Sequence, residues 1–369
     1  MNKPKGHDIV HDALRYACLS LADADLAIKL KGRLKQHHAT IYASSGDYWH
    51  QAVSQIQLAA ELGMHLNDQD TGDVILAAVV ILATRDRLAG WSEWEMPLSV
   101  GYRVLRELGG PDLYIASNPT RLRRFLVEQL VSIELLACLT AFKQPMIGDW
   151  YNHWLTEGGG DLEAVYGWDR EAFLYGLRAI TLCGDCVRLY ILRTRCSDNP
   201  SKQVKELIET QIDNCKARIS KFLDTSEAVR AMLQAIPNSA VRSRSICLQA
   251  CVEICLLWIL AEGNDTIEAK SMADRLSQRV EAIVQVADEA MARGDYAGML
   301  LPLTWADGSV TPRQRELIMR LLNTLEANYH LDHESLWRIT HIDWSAVEGF
   351  APARWEEELR QMKIYFPIY

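Results

Sequence analysis

The apolar residues of this chain recur at three- and four-residue intervals almost from end to end, and no stretch alternates with a period of two. Such spacing turns one face of a helix toward a core and leaves no pattern for a strand to use. The apolar segments are 15 to 30 residues long and are punctuated by Gly, Pro or Asn. That length again favours helix over strand. The spacing predicts helices over 8–43 (broken near its middle), 47–64, 70–89, 94–108, 119–142, 146–156, 169–195, 200–223, 226–262 (broken near Pro237), 267–293, 312–328, 333–347 and 352–362. The expected fold is all-α, a multi-helix bundle or solenoid-like body of roughly 12–15 helices.

Several helix ends are readable. Asn118-Pro119-Thr120, Asn199-Pro200-Ser201 and Thr311-Pro312 each place a capping side chain against a proline suited to the first helical turn. Gly109-Gly110-Pro111 and Gly158-Gly159-Gly160 read as stops. No linker rich in Ser or Gly and no internal repeat divides the chain, so one helical body over 1–369 is expected. The most polar stretch, 200–223, is the candidate joint between an N-terminal half, 8–196, and a C-terminal half, 226–362.

The charge balance narrows the partners. With a net charge of −9, the chain lacks the clustered Lys and Arg of a general nucleic-acid surface. Residues 1–7 are polar and precede no apolar leader, and nine cysteines lack a disulfide-like spacing. Reduced thiols inside the cell are the expected state. The longest uncharged apolar run, 74–83, is about half of what a bilayer needs, so no membrane association is expected.

Three patterns could carry chemistry. His7 and His11 are four apart, a usable metal pair on one helix face, but no third ligand follows and no Glu lies between them. A solvated helix start, with Asp8 and Asp12 near the positive end of the dipole, is the plainer reading. Cys183-Gly184-Asp185-Cys186 is a C-x-x-C within a helix, away from the N-terminus that would activate a thiol. Buried thiols acting as small apolar groups are expected there, and equally along Cys247, Cys251 and Cys255. The densest aromatic segment is Asp149-Trp150-Tyr151-Asn152-His153-Trp154, with Trp150 and Trp154 on one helix face. It either lines a ligand pocket, with Trp94 and Trp305 as further walls, or fills wide gaps between helices. No G-x-S-x-G, H-E-x-x-H, P-loop or D-D-x-x-D motif is present, and no metal, nucleotide or other cofactor is expected.

Family character shows in the order of the segments. His11-Asp12-Ala13-Leu14-Arg15-Tyr16-Ala17 opens the first helix, and an apolar helix follows at 73–82. Arg124-Phe125-Leu126-Val127-Glu128-Gln129-Leu130 comes next, then a Gly- and Cys-bearing helix at 176–195. Leu301-Pro302-Leu303-Thr304-Trp305-Ala306 makes a turn before the Arg-rich 313–322, and Trp344 closes the series. Together these resemble the fungal-specific transcription factor domain, the helical regulatory region that normally follows a Zn2Cys6 DNA-binding cluster, in the second of its two families. The likeness spans roughly 8–350 and is carried by order and spacing. Asp307-Gly308-Ser309 departs from the family's usual Ala-Gly-Cys-Glu, so that turn is expected to be rebuilt.

No six-cysteine cluster precedes the first helix, so direct contact with nucleic acid by this chain is not expected. The resemblance implies a nuclear regulator of metabolic genes, secondary-metabolite genes among them. It would bind an apolar small effector, a partner protein or a second copy of itself. The alternative is a cytoplasmic enzyme or carrier on the same scaffold, cyclising or isomerising an apolar metabolite without metal or nucleotide.

Overall fold

The computed structural model describes residues 6–30, 35–89, 94–141, 169–195, 202–261, 267–295, 299, 302–303, 306 and 312–329. Among these residues all regular structure is helical and there is no strand, as the periodicity predicts. The chain folds into two compact units that divide within one helix, between Leu136 and Ala137.

The first unit contains α1 (Gly6–Leu30), α2 (Lys35–Glu61), the single turn α3 (Met64–Asn67), α4 (Gln69–Ala89), α5 (Glu95–Glu107), α6 (Pro111–Ser117) and most of α7 (Arg121–Ala141). α1 packs on α2 and α4 through Val10, Ala13, Ala17, Ser20, Ala24 and Ala27, all buried. These positions alternate in steps of three and four, one continuous stripe on a helix. Because the stripe is almost entirely Ala and Ser, the neighbouring backbones come close. Ser20 Oγ donates to the Ser45 carbonyl at 2.7 Å, and Ser45 Oγ donates to the Ser20 carbonyl at 2.8 Å. Ala17→Leu is expected to force these helices apart and lower stability by about 1–3 kcal/mol, read as a drop in the urea midpoint. An unchanged midpoint would show that the seam has slack.

That seam corrects one boundary. The sequence predicts a break between 43 and 47, yet α2 runs unbroken through Ser44-Ser45-Gly46. Ser45 and Gly46 are both buried, so here small residues serve close packing and not chain reversal. The Gly109-Gly110 stop is realised: both glycines have positive φ (90° and 92°). Gly110 N–H donates to the Leu105 carbonyl and Gly109 N–H to that of Arg106, a Schellman pair, before Pro111 opens α6. α7 starts two residues later than predicted, at Arg121, because Thr120 is the cap: its Oγ accepts the Arg123 N–H at 3.2 Å. α4 is buried nearly all round and is the axis of the unit.

The second unit contains α8 (Arg170–Arg195), α9 (Lys202–Leu223), α10 (Ser226–Gln234), α11 (Ser239–Ala261), α12 (Ile267–Ala292) and α13 (Pro312–Tyr329). Asp169 caps α8 by accepting the N–H groups of Glu171 and Ala172, and Asn238, after Pro237, caps α11 in the same way. Pro312 is the first residue of α13, as its sequence signal predicts. The polar helix α9 lies on α8 and α11 and buries only Ile212, Cys215, Ile219 and Leu223, one face of an amphipathic rod. α11 is long and apolar enough to cross a membrane by length and composition alone. Here that apolar surface is taken up by its neighbours, and α11 is the core helix of the unit. It shares a core of Ile254, Val280, Ile283, Ala287, Ile318 and Leu321 with α12 and α13. The helices predicted over 146–156, 333–347 and 352–362 lie outside the described residues.

Candidate functional site

The interiors of both units hold charge. In the second unit Glu253 stands in the middle of the apolar α11 and is fully buried. Its Oε1 accepts three hydrogen bonds: from Tyr175 Oη of α8 at 2.8 Å, from Ser226 Oγ at the start of α10 at 2.6 Å, and from Gln249 Nε2 of α11 at 2.9 Å. Its Oε2 pairs with Arg279 Nε of α12, and Arg230 of α10 approaches to 3.6 Å. Gln249 also donates to the Ser226 carbonyl, and Arg279 Nη2 to Ser226 Oγ. The Tyr175 ring stacks on Phe222 of α9, with centroids 4.5 Å apart. Burial first, then the charge and hydrogen bond of Glu253, push Tyr175 far above the ordinary tyrosine value, so the phenol stays protonated and donates. One carboxylate thereby ties together α8, α10, α11 and α12. Three donors on Oε1 and the arginines beside Oε2 make it a staple between these helices.

The first unit has a comparable knot. Arg85 and Asp86, adjacent on α4, are both fully buried. Arg85 donates to Ser45 Oγ through Nε and Nη2 and to Asp86 Oδ1 through Nη1, while Trp49 Nε1 donates to Asp86 Oδ2 at 3.0 Å. A second cluster is built on Arg123, which pairs with Asp73 at 2.9 Å and bonds to Ser117 Oγ and to the Tyr114 carbonyl. The Arg123 guanidinium also lies over the Tyr114 ring, and Tyr114 Oη donates to Asp73 at 2.6 Å. Burial, then Asp73, push Tyr114 well above its usual value. Nearby, buried His65 sits 2.7 Å from Glu107. Burial works against the charged form of Glu107, but the contacts with Arg103 and His65 outweigh it and hold the carboxyl below its ordinary value.

Beside the Arg123 cluster a depression of about 370 Å³ opens between α5 and α6, walled by Leu108, Leu113, Tyr114, Ala116 and Ser117. It offers apolar walls with a tyrosine and a serine, a surface suited to holding an apolar body. Its lining contains no nucleophile–base pair.

Of the residues singled out from sequence, Trp94 is described. It is half-buried at the start of α5, where its carbonyl accepts the Leu98 N–H, and it does not line the depression. Asp149, Trp150, His153, Trp154 and Trp305 lie outside the described residues. Cys183 and Cys186 are buried in the middle of α8, away from its N-terminus, and Cys247, Cys251 and Cys255 are buried along α11. Among the described residues no group of three or more His, Cys, Asp or Glu is arranged to hold a metal ion. His11 is exposed on the first turns of α1. The residues that aromatic density overlooked are Trp49, Tyr114, Glu253 and their arginines. Their signal was a charge placed where helical spacing demands an apolar side chain.

Residues 4–349 match the family model described as the fungal specific transcription factor domain. No curated protein and no solved structure matches the chain. The match takes in all thirteen described helices, from α1 to α13, and it covers the carboxylate staple and the Arg123 cluster alike. This chain belongs to the fungal-specific transcription factor domain family.

Proposed function

We propose that this chain is the regulatory body of a nuclear transcription regulator, and that it controls metabolic genes, secondary-metabolite genes among them, in response to an apolar small effector or a protein partner. The observation that carries this reading is the family match over 4–349. The buried knots add physical support. A carboxylate such as Glu253, held by side chains from three other helices, can settle the choice between two packings, because a helix that moves must give up its bond. The effector site is assigned to Trp94, Asp149, Trp150, His153, Trp154 and Trp305, whose side-chain chemistry suits an apolar ligand with few polar groups.

The test joins the full chain to an unrelated DNA-binding module and measures transcription from a reporter carrying that module's site. Transcription is expected to differ from that of the module alone and to respond to the organism's metabolic state. Trp150→Ala is expected to blunt the response while leaving protein abundance intact. A fusion indistinguishable from the module alone under every condition would overturn the reading.

A further inference from the structure

We propose that Cys186 and Cys215 form an oxidant-reactive dithiol, a modification site that hydrogen peroxide or an organic hydroperoxide converts to a disulfide clamping α8 to α9. The pair joins two different helices. Cys186 lies in α8 and Cys215 in α9, and the two side chains hydrogen-bond to each other across the helix interface. Cys215 Sγ also lies 3.8 Å from the Leu182 carbonyl, one turn before Cys186. Cys251 and Cys255 also interact through their side chains, but both lie on α11 and join no second helix. Cys255 turns back on its own helix, 3.3 Å from the Cys251 carbonyl, and Cys247 faces the Met299 sulfur at 3.8 Å.

Both thiols are buried, and they lie beneath a single outer helix. α9 is the outer amphipathic helix, and Asp185 and Arg218, close to the two thiols in sequence and partly exposed, pair across the same interface at 3.4 Å. Arg218 favours a thiolate at Cys215 and Lys216 favours one at Cys186, while the Asp185 carboxylate opposes it at Cys215. The hydrogen bond from Cys186 is the main cause holding Cys215 below the ordinary thiol value, against burial. The same bond, with burial, drives Cys186 well above it. Cys183, Cys247 and Cys255 are all pushed up by burial, and Cys215, carried on the outer helix, is the thiol that meets the oxidant first.

The chemistry balances with the peroxide as sole oxidant. Cys215 sulfur attacks one peroxide oxygen, the O–O bond breaks, and the departing hydroxide takes up the proton that Cys215 released. This leaves a sulfenic acid and one water. Cys186 sulfur then attacks the sulfenic sulfur, the S–S bond forms and the S–O bond breaks, and the leaving hydroxide carries off the Cys186 proton as a second water. Each thiol gives up one electron and the peroxide accepts two. Access comes with local opening of the outer helix. The inference stands apart from the regulatory reading, since it needs only the folded chain and an oxidant.

The experiment treats the purified full chain with hydrogen peroxide, blocks remaining thiols with an alkylating reagent, and maps disulfides by mass spectrometry without reduction. The expected result is one dominant linkage, Cys186 to Cys215, reversed by dithiothreitol, with a rise in Tm on the order of 5–10 °C before reduction. Cys215→Ser is expected to remove the linkage and the Tm rise together. Wild-type protein alone keeps the test decisive should that variant fold poorly. Both thiols fully alkylated after an exposure that oxidises surface-lying Cys18 would overturn the proposal. So would a dominant linkage between any other two cysteines, or a stable sulfenic acid at Cys215 with Cys186 still free.

Discussion

Glu253→Ala is expected to be among the most damaging single changes in the second unit, lowering its stability by about 3–5 kcal/mol. The alanine removes a charge that Arg279 needs and three acceptor contacts at once, leaving Tyr175, Ser226 and Gln249 to find other partners in a dry interior. Urea denaturation followed by far-UV circular dichroism measures the effect. The companion variant separates charge from packing. Glu253→Leu combined with Arg279→Met exchanges a buried ion pair for apolar contact and is expected to recover most of the loss, because paired charges in an interior return little beyond their own desolvation. A double variant as unstable as Glu253→Ala would place the value of the site in its hydroxyl and amide contacts and not in the ion pair.

The first unit has its counterpart in Asp86→Ala, again with an expected loss of about 3–5 kcal/mol. Asp86 accepts from Arg85 on one oxygen and from Trp49 on the other, and all three side chains are buried. The variant therefore disturbs a buried guanidinium and an indole N–H together. Asp86→Asn keeps an acceptor for one of them and is expected to cost less than half as much. Indole fluorescence during unfolding is a direct readout, since Trp49 is the largest fully buried side chain among the described residues. Equal losses for the two variants would show that charge, and not hydrogen bonding, holds the knot.

How far the sequence discloses such sites depends on what each residue does locally. Helix ends were legible where a local residue answers a backbone group within a few positions, as with the glycine pair after α5 and Pro312 at α13, while the caps Asp169 and Asn238 emerge only from the structure. α9 was legible as a polar helix, while the stripe it buries, Ile212, Cys215, Ile219 and Leu223, emerges only in the structure. Ser44-Ser45-Gly46 misled, since the same small residues that reverse a chain also let two helices touch, and only the partner at Ser20 decides between these uses. The ionic knots are non-local in the same sense. Glu253 is surrounded in sequence by cysteine, valine and isoleucine, and its partners come from α8, α10 and α12 as well as its own helix. Arg85-Asp86 follows directly on an apolar run, and a charge in that position is a sign of pairing that aromatic density cannot supply. Trp49 was hidden for a related reason: it is the one tryptophan of α2, and density of aromatics pointed elsewhere.

The seam of α1 limits how this sequence can drift. Ala13, Ala17, Ala24 and Ala27 have no accessible surface, and the two serines on either side of the contact are bonded to each other's backbone. Trimming any of these alanines to glycine removes one methyl and some helix propensity, a modest loss. Enlarging any of them has to displace a closely packed neighbouring helix, a larger expected loss. Substitution at the seam is thus open toward smaller side chains and closed toward larger ones. Relatives that share this pair of helices are expected to vary there among Gly, Ala and Ser, while the opposite, solvated face of α1 changes freely.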